Sequence, residues 1–394
     1  MPQINASQPQ RKTELTADFA VLLWQPGSSM MPGKIIIFST SNNKLTMKLT
    51  IKDGYMHIWQ TLFALLFAHI TLLFSLPVLA ASESKQVFCV FDPVGARGPI
   101  YSAMLDYQTQ ALTWGANLEL KAYTNEAVAV ADFQAGHCDA MGVTGTRVRP
   151  YNNFTASIEA LGGLSDYRQM QQLLGMLTKP KAQRYMRQGE YEVAAILPGG
   201  AVYIFVRDKT INSVEAAAGK RIATLDYDKA SVHVVEHVGA TMVPSSVATF
   251  APRFNNGDVD IAYAPAVAYQ PFEMYKGLGK QGGIYRFSMA QMNFQMVIRH
   301  NKFPQDFGQK SREYTYQHFD KALEHIRQAE ADIPENYWID LPDDKETEYK
   351  EMLRQIRMAL TQDQVYNPTM MKLMFKLRCK ADPTHYECAE RKEG

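Results

Sequence analysis

A chain of 394 residues with a formal net charge of +1 has room for two ordinary domains and more, and lacks the basic excess of a nucleic-acid binder. With 46% hydrophobic and 21% charged residues it can build real cores, which excludes a disordered or fibrous chain.

Residues 1–46 are polar and mixed, without a sustained period, and read as a disordered or non-native extension. The stretch 47–80 reads as a secretory signal. It has a charged start (Met47-Lys48 to Lys52), an apolar run from Ile58 to Leu79, and small residues around Ala80 and Ala81. A retained membrane anchor is the alternative, but His69 and Pro77 interrupt the run. The expectation is a start at Met47 and export to the periplasm. Residues 81–394 carry 35 Lys+Arg and 37 Asp+Glu, a balance that implies no polyanionic partner.

Beyond the signal, Gln86–Phe91 reads as a strand and Asp92–Pro99 as its loop. Pro99 suits a first helical turn, with Ile100, Ala103, Met104, Tyr107 and Ala111 at helical spacing. Leu118–Ala122 is a second strand, Thr124 or Asn125 caps a helix Glu126–Ala135, and Cys138–Val143 is a third strand ending in Thr144-Gly145-Thr146-Arg147. All four cysteines follow the signal, and an even number in an exported chain suggests disulfides. In a doubly wound sheet of order 2-1-3 the first and third strands are neighbours, so Cys89 with Cys138 is a sensible pair. Cys379 with Cys388 would then close a small loop in the tail. The sequence alone leaves the connectivity open.

Residues 150–197 are less regular, with helices through Tyr167–Leu177 and around Ala182–Gln188 and a short strand at Ala194–Leu197. Pro198-Gly199-Gly200 is expected to bend the chain into Ala201–Val206, a first crossing between lobes.

Gly219–Tyr269 reads as a strand from Arg221 to Leu225, a polar loop, a helix carrying Val232, Val235 and Val238 and stopped by Gly239, a short strand, a second helix capped at Ser245 or Ser246, and a buried strand Val259–Ala264. Strands alternating with helices call for a parallel sheet. Phe254-Asn-Asn-Gly257-Asp-Val-Asp260 echoes Phe133-Gln-Ala-Gly136-His-Cys-Asp139, each ahead of an apolar strand, so the two α/β lobes read as built alike. Within this stretch Gly219-Lys-Arg-Ile, Gly239-Ala-Thr-Met-Val-Pro244, Phe250, Gly257, Val259 and Asp260 resemble the second lobe of DctP-type solute-binding proteins, the periplasmic receptors of TRAP transporters. The resemblance covers Val87 to Arg378 and is specific across Gly219–Pro265. It implies a type 2 periplasmic-binding-protein-like fold with a helical C-terminus bracing both lobes. It also implies a carboxylate clamp whose positions here hold Ala223, Val202 and Ala264, all apolar, so the usual organic-acid clamp is missing.

Gly277–Gly283 is a loose loop, Met292–Arg299 the return crossing, and the chain after Pro304 is helical, with Asn367-Pro368 opening its last long helix. The expected layout is a first lobe of 85–200 plus 294–378, a second lobe of 201–293, two crossings that form a hinge, and a polar, frayed tail over 379–394.

In open α/β sheets ligands sit beyond the carboxyl ends of the strands. That rule selects Asp92, Arg97, Tyr101, Thr144, Thr146, Arg147, Asp226, Tyr227, Asp228, Tyr263 and Tyr269, with Asn293 and Phe294 at the hinge. Free N–H groups at Pro99–Ile100, with Arg97 and Arg147, could receive an anion. Alternatively, Asp92, Asp226, Asp228 and the tyrosines could cage an organic cation. His137-Cys138-Asp139 is not a nucleophile–base pair, since strand neighbours point to opposite faces. His233 and His237 are a surface pair with no further ligands, so no metal is expected. Asn153-Phe-Thr155 is a glycosylation sequon by letter only, and no phosphate-cradling loop or nucleophile elbow appears. No catalytic residue and no cofactor are expected. The reading is a monomeric periplasmic receptor that captures a small molecule and delivers it to a membrane permease, with no nucleic-acid partner. The alternative is a non-catalytic accessory part of an envelope efflux complex whose cleft has degenerated.

Overall fold

The computed structural model describes residues 37–41, 44–48, 85–225 and 227–393, the first two ranges by backbone alone. Asp226 and nearly all of the expected signal over 47–80 lie outside the described residues. Ile37–Ser41 and Lys44–Lys48 form an antiparallel hairpin where the sequence reading placed no element. The unit over Ser82–Gly394 is separate from it and holds everything below.

In the first lobe β1 (Gln86–Phe91) lies between β2 (Leu118–Tyr123) and β3 (Ala140–Thr144), all parallel, with α1 (Pro99–Thr113) and α2 (Glu126–Gln134) as crossovers. The chain then runs through α3 (Tyr167–Leu177) and the long strand β4 (Tyr191–Val206). The second lobe repeats the first: β5 (Arg221–Leu225) lies between β6 (Thr241–Ser245) and β7 (Ile261–Pro265), parallel, with α4 (Lys229–His237) and α5 (Phe250–Asn256) between them. A second long strand, β8 (Gly283–Arg299), pairs with β4 antiparallel from end to end. The ladder is continuous, β2-β1-β3-β8-β4-β7-β5-β6, because β8 borders β3 in one lobe and β4 borders β7 in the other.

These long strands correct two expectations. Pro198-Gly199-Gly200 does not separate two strands. Pro198 lies opposite Asn293 and Gly200 opposite Met292, the register slips between them, and Gly200 at φ 111° takes up the kink while pairing continues. The return strand begins at Gly283 rather than Met292, since bulges near Ser288 let it bend without ending. The helix expected around Ala182–Gln188 spans only Gln183–Met186, because Arg187 and Gln188 fold back onto β4.

The repeated F-x-x-G-x-x-D segments share one geometry. Phe133 and Phe254 are fully buried, and Gly136 (φ 79°) and Gly257 (φ 83°) turn the chain in the left-handed region. Asp139 accepts from the Val87 N–H at 3.0 Å, as Asp260 does from the Arg221 N–H at 2.9 Å, so each aspartate ties the third strand's entry to the first strand's. The repeat extends to the ends of the long strands, which no spacing in the sequence revealed. Arg299 Nη2 donates to the Phe133 carbonyl at 2.9 Å, and Arg207 Nη1 to the Phe254 carbonyl at 2.7 Å. Asp139→Ala should cost about 1–2 kcal/mol in urea unfolding, the worth of a half-buried hydrogen bond to a charged acceptor. A cost near zero would make the repeated aspartate incidental.

The C-terminal helices α6 (Phe307–Gln317), α7 (Phe319–Ala331), α8 (Asp343–Gln362), α9 (Pro368–Ala381) and α10 (Tyr386–Glu390) brace the sheet. Glu330 of α7 accepts from the hydroxyls of Tyr167 on α3 and Tyr203 on β4, at 2.5 and 2.8 Å. Trp338 and Ile339 add a short parallel strand to β8. Cys89 is joined to Cys138 and Cys379 to Cys388, with Cα atoms 5.9 and 5.6 Å apart. The tail is docked, not frayed: Glu387 and Glu393 fold back onto the buried Arg357 and Arg378, with contacts of 2.6–3.5 Å. Two of the charges that made it look solvated in the sequence are paired with buried arginines of α8 and α9. Among the described residues no helix is long and apolar enough to cross a membrane.

Candidate functional site

The loops that follow β1, β3, β5 and β7 line a cavity of about 520 Å³ between the lobes, in the range of small-molecule sites. Its walls are mostly apolar, with Ile100, Leu161, Val234, Phe250, Met289, Met292 and Ile326 among them. Ala223, Val202 and Ala264, the positions at which the resemblance implied a clamp, all lie on the wall.

Two aspartates seal the helix ends that face the cavity. Asp92, fully buried, accepts from the backbone N–H groups of Val94, Ile100 and Tyr101 at 2.8–3.0 Å. The N–H groups at the start of α1 are therefore not free for a ligand anion, as the sequence had suggested. A Cβ on Gly98 would sit 2.0 Å from the Asp92 carboxylate, so this seat requires glycine. Asp228 does the same for α4, accepting from Ala230 N, Ser231 N and Ser231 Oγ at 2.7–3.2 Å.

Contacts cross between the lobes beside the cavity. The Gly145–Val148 turn after β3 carries Arg147 and sets Arg149 beyond it. Arg147 pairs with buried Glu126 at 3.2 Å and lays its guanidinium 3.3 Å over the Tyr227 ring of the second lobe. Arg149 reaches the cavity, donates to the Val365 carbonyl at 2.6 Å, and lies 3.9 Å from Asp228. Burial lifts the phenols of Tyr227, Tyr263 and Tyr366 above their ordinary range, so all three stay neutral.

Glu159 lies on the cavity wall. Thr146 Oγ1 donates to its Oε2 at 2.5 Å and the Asn293 N–H to its Oε1 at 2.8 Å. Burial pushes its carboxyl up to about 7, against these two hydrogen bonds and nearby Arg149, while Asp228 pushes the same way as burial. Gln295 lies beside it on β8. Its Nε2 donates to the Thr155 carbonyl at 2.9 Å and to Asn293 Oδ1 at 2.8 Å, which fixes the amide's orientation and leaves Oε1 without a protein partner. The hydroxyl of Thr144, opposite Phe294 in the ladder, is likewise unpartnered.

Of the residues selected by sequence, Asp92, Thr144, Thr146, Tyr227, Asp228, Tyr263 and Phe294 line the cavity. Five others are elsewhere. Arg97 is exposed, because its short turn ends facing solvent. Tyr101 reaches across to β2 to donate to the Leu120 carbonyl, and Arg147 is taken up by Glu126 and Tyr227. Tyr269 is buried against Tyr275 and Tyr337 in the second lobe. Asn293 is fully buried behind the wall, where it orients Glu159 and Gln295. Asp226 lies outside the described residues. Arg149, Glu159 and Gln295 were missed. For Glu159 a signal existed: it is the one charge in the apolar run from Phe154 to Leu164.

Two like-built α/β lobes sharing two long strands around a mostly apolar cavity define a hinged small-molecule binding protein. The profile of the family described as "Solute-binding protein AdeT 1/2" matches residues 111–393, and the chain belongs to that family of binding proteins, not enzymes. It is 40% identical over 300 residues to the probable solute-binding protein AdeT1 of Acinetobacter baumannii, covering 76% of this chain and 99% of that one. Two crystal structures of TRAP periplasmic solute-binding proteins share the fold. That from Desulfovibrio salexigens, with bound orotic acid, has a TM-score of 0.59 and 13% identity, covering 75% of this chain and 99% of its own. That from Ralstonia eutropha, with bound (S)-2-acetolactate, has a TM-score of 0.61 and 11% identity, covering 75% and 98%.

Proposed function

We propose that the chain is an exported, monomeric receptor that closes its lobes over one small molecule and presents the closed form to a membrane permease. The observation that carries this reading is the cavity itself. It is walled by both lobes, and Arg147 on Tyr227 and Arg149 near Asp228 bridge the lobes beside it. A ligand that fills the space between two hinged bodies favours the closed state by the contacts it adds there. Periplasmic location draws support from the signal-like stretch 47–80, the two disulfides, and the periplasmic proteins that share the fold. In this reading 85–200 with 294–378 forms one lobe and 201–293 the other. Thr144, Thr146, Tyr227, Asp228, Tyr263 and Phe294 meet the ligand, together with Arg149, Glu159 and Gln295. The volume of the cavity favours capture over the alternative of an accessory subunit with a degenerate cleft.

The test is a thermal-shift screen of the protein from residue 81 onward against organic acids, amines and neutral drug-sized compounds. One chemical class at a hundredfold excess over its Kd should raise Tm by about 5 °C or more. A screen in which no class moves Tm would overturn the reading.

A further inference from the structure

We propose that the cavity takes an organic ammonium ion with an apolar body, its N–H groups held by the Glu159 carboxylate and Gln295 Oε1 and its body by the Met289, Met292 and Ile326 wall. The inference rests on the receptor reading above and names the ligand class.

The walls argue first against an anion. Both helix N-termini that face the cavity already hold a carboxylate of the chain, Asp92 on α1 and Asp228 on α4. Arg147 is committed to Glu126, and Arg149 is divided between the Val365 carbonyl and Asp228. Lys321 lines the cavity from an exposed position on α7. Ala223, Val202 and Ala264 offer no charge. The wall thus holds these two carboxylates and an arginine already in use, and its one lysine, Lys321, is exposed to solvent.

The acceptors argue for a cation. Gln295 is 1% exposed, lines the cavity, and keeps an oxygen without a partner, in an amide whose orientation the Thr155 carbonyl fixes. Such an oxygen calls for a donor from the ligand. Glu159 is joined to Gln295 through Asn293, which donates to one and accepts from the other. Its two protein donors leave lone pairs for a third. An ammonium group bridging Glu159 and Gln295 completes both, and Tyr263 and Phe294 line the same cavity with neutral rings.

The proposal carries a proton signature. The groups that face Glu159 are Asp228 and Tyr227 ahead of α4 and Arg149 after β3, and with burial dominating, its carboxyl holds a proton up to about pH 7. A cation binds the ionised form, so one proton leaves Glu159 as the ammonium enters. Affinity should then fall about tenfold for each pH unit below 7 and level off above it.

The experiment is calorimetric titration with three probes of one shape, 4-phenylbutylammonium, 4-phenylbutan-1-ol and 4-phenylbutanoate. The ammonium should bind at least about tenfold tighter than the alcohol at pH 8, by one charge-assisted hydrogen bond in place of a neutral one. It should release close to one proton when titrated at pH 6 in buffers of different ionisation enthalpy. Glu159→Gln should lose the preference for ammonium, the proton release and the pH slope while still binding the alcohol, which reports that the variant is folded. Tighter binding of the carboxylate, equal binding of ammonium and alcohol, or ammonium binding without proton release would each overturn the proposal. If none of the three binds while the wider screen finds another ligand, the cation assignment falls and the receptor reading stands. Failure of both removes both.

Discussion

Arg312→Met is expected to destabilise the protein by about 3–5 kcal/mol, seen as a lower urea midpoint. Arg312 of α6 is 3% exposed and Glu192 of β4 2%, and Nη1 donates to Glu192 Oε1 at 2.7 Å and to the Val193 carbonyl at 2.8 Å. Removing the guanidinium leaves a buried carboxylate with Arg187 as its remaining ionic partner, and takes a donor from the Val193 carbonyl beside it. The pair cannot open to water as a surface pair would. Gly308 packs so closely that a Cβ there would lie 2.0 Å from Glu192 Oε1. The double variant Glu192→Met with Arg312→Met should cost less than Arg312→Met alone, because an apolar pair needs no partner. If the single variant unfolds like the parent, or the double is worse than the single, then α6 is not held to the long strand by charge.

This pair illustrates what the sequence could and could not disclose. Helix and strand positions followed from apolar spacing, and β1 and α3 fall where the spacing placed them. The repeat was legible as Phe, Gly and Asp at matching intervals, since each residue does local work: one is buried, one turns the chain and one ties down a neighbouring strand. Arg207 and Arg299 complete that repeat from the ends of the long strands, a relation that depends on topology and leaves no spacing to read. The same holds for Arg312 with Glu192, which are separated by 120 positions.

The site divides along similar lines. The rule that ligands gather beyond strand ends found the loops at Asp92, Thr144, Tyr227 and Asp228, all of which line the cavity. It could not say which way a side chain turns within a loop. Two residues apart in one tight turn, Arg147 is spent on Glu126 and Tyr227 while Arg149 enters the cavity. The helix ends looked free because the residue that blocks one of them, Asp92, lies eight positions before the N–H it accepts. Glu159 belongs to an irregular segment with no strand or long helix to orient it, so only its isolation among apolar residues marked it.

That isolated carboxyl should also make stability depend on pH in an unusual direction. The buried carboxyl of Glu159 holds its proton up to about 7, against an ordinary value of 4.5. The folded state therefore binds a proton more tightly than the unfolded state, and folding takes one up between those two values. The contribution is fully present below about pH 4.5, declines as pH rises, and is lost above about 7, a total on the order of 3 kcal/mol. Carboxyls held low by partners, such as Asp260 by Arg221, oppose it, but they act only below their ordinary range, as acid protonates them. Between pH 5 and 7 Glu159 is the carboxyl that is raised into the window, and its contribution to the unfolding free energy measured there should fall with rising pH. Glu159→Gln, which carries no proton to lose, should flatten the slope and overtake the parent near pH 8. A parent protein equally stable at pH 5 and pH 8, or a variant with the same slope, would mean that Glu159 is ionised in the empty cavity. In that case cation entry would release no proton.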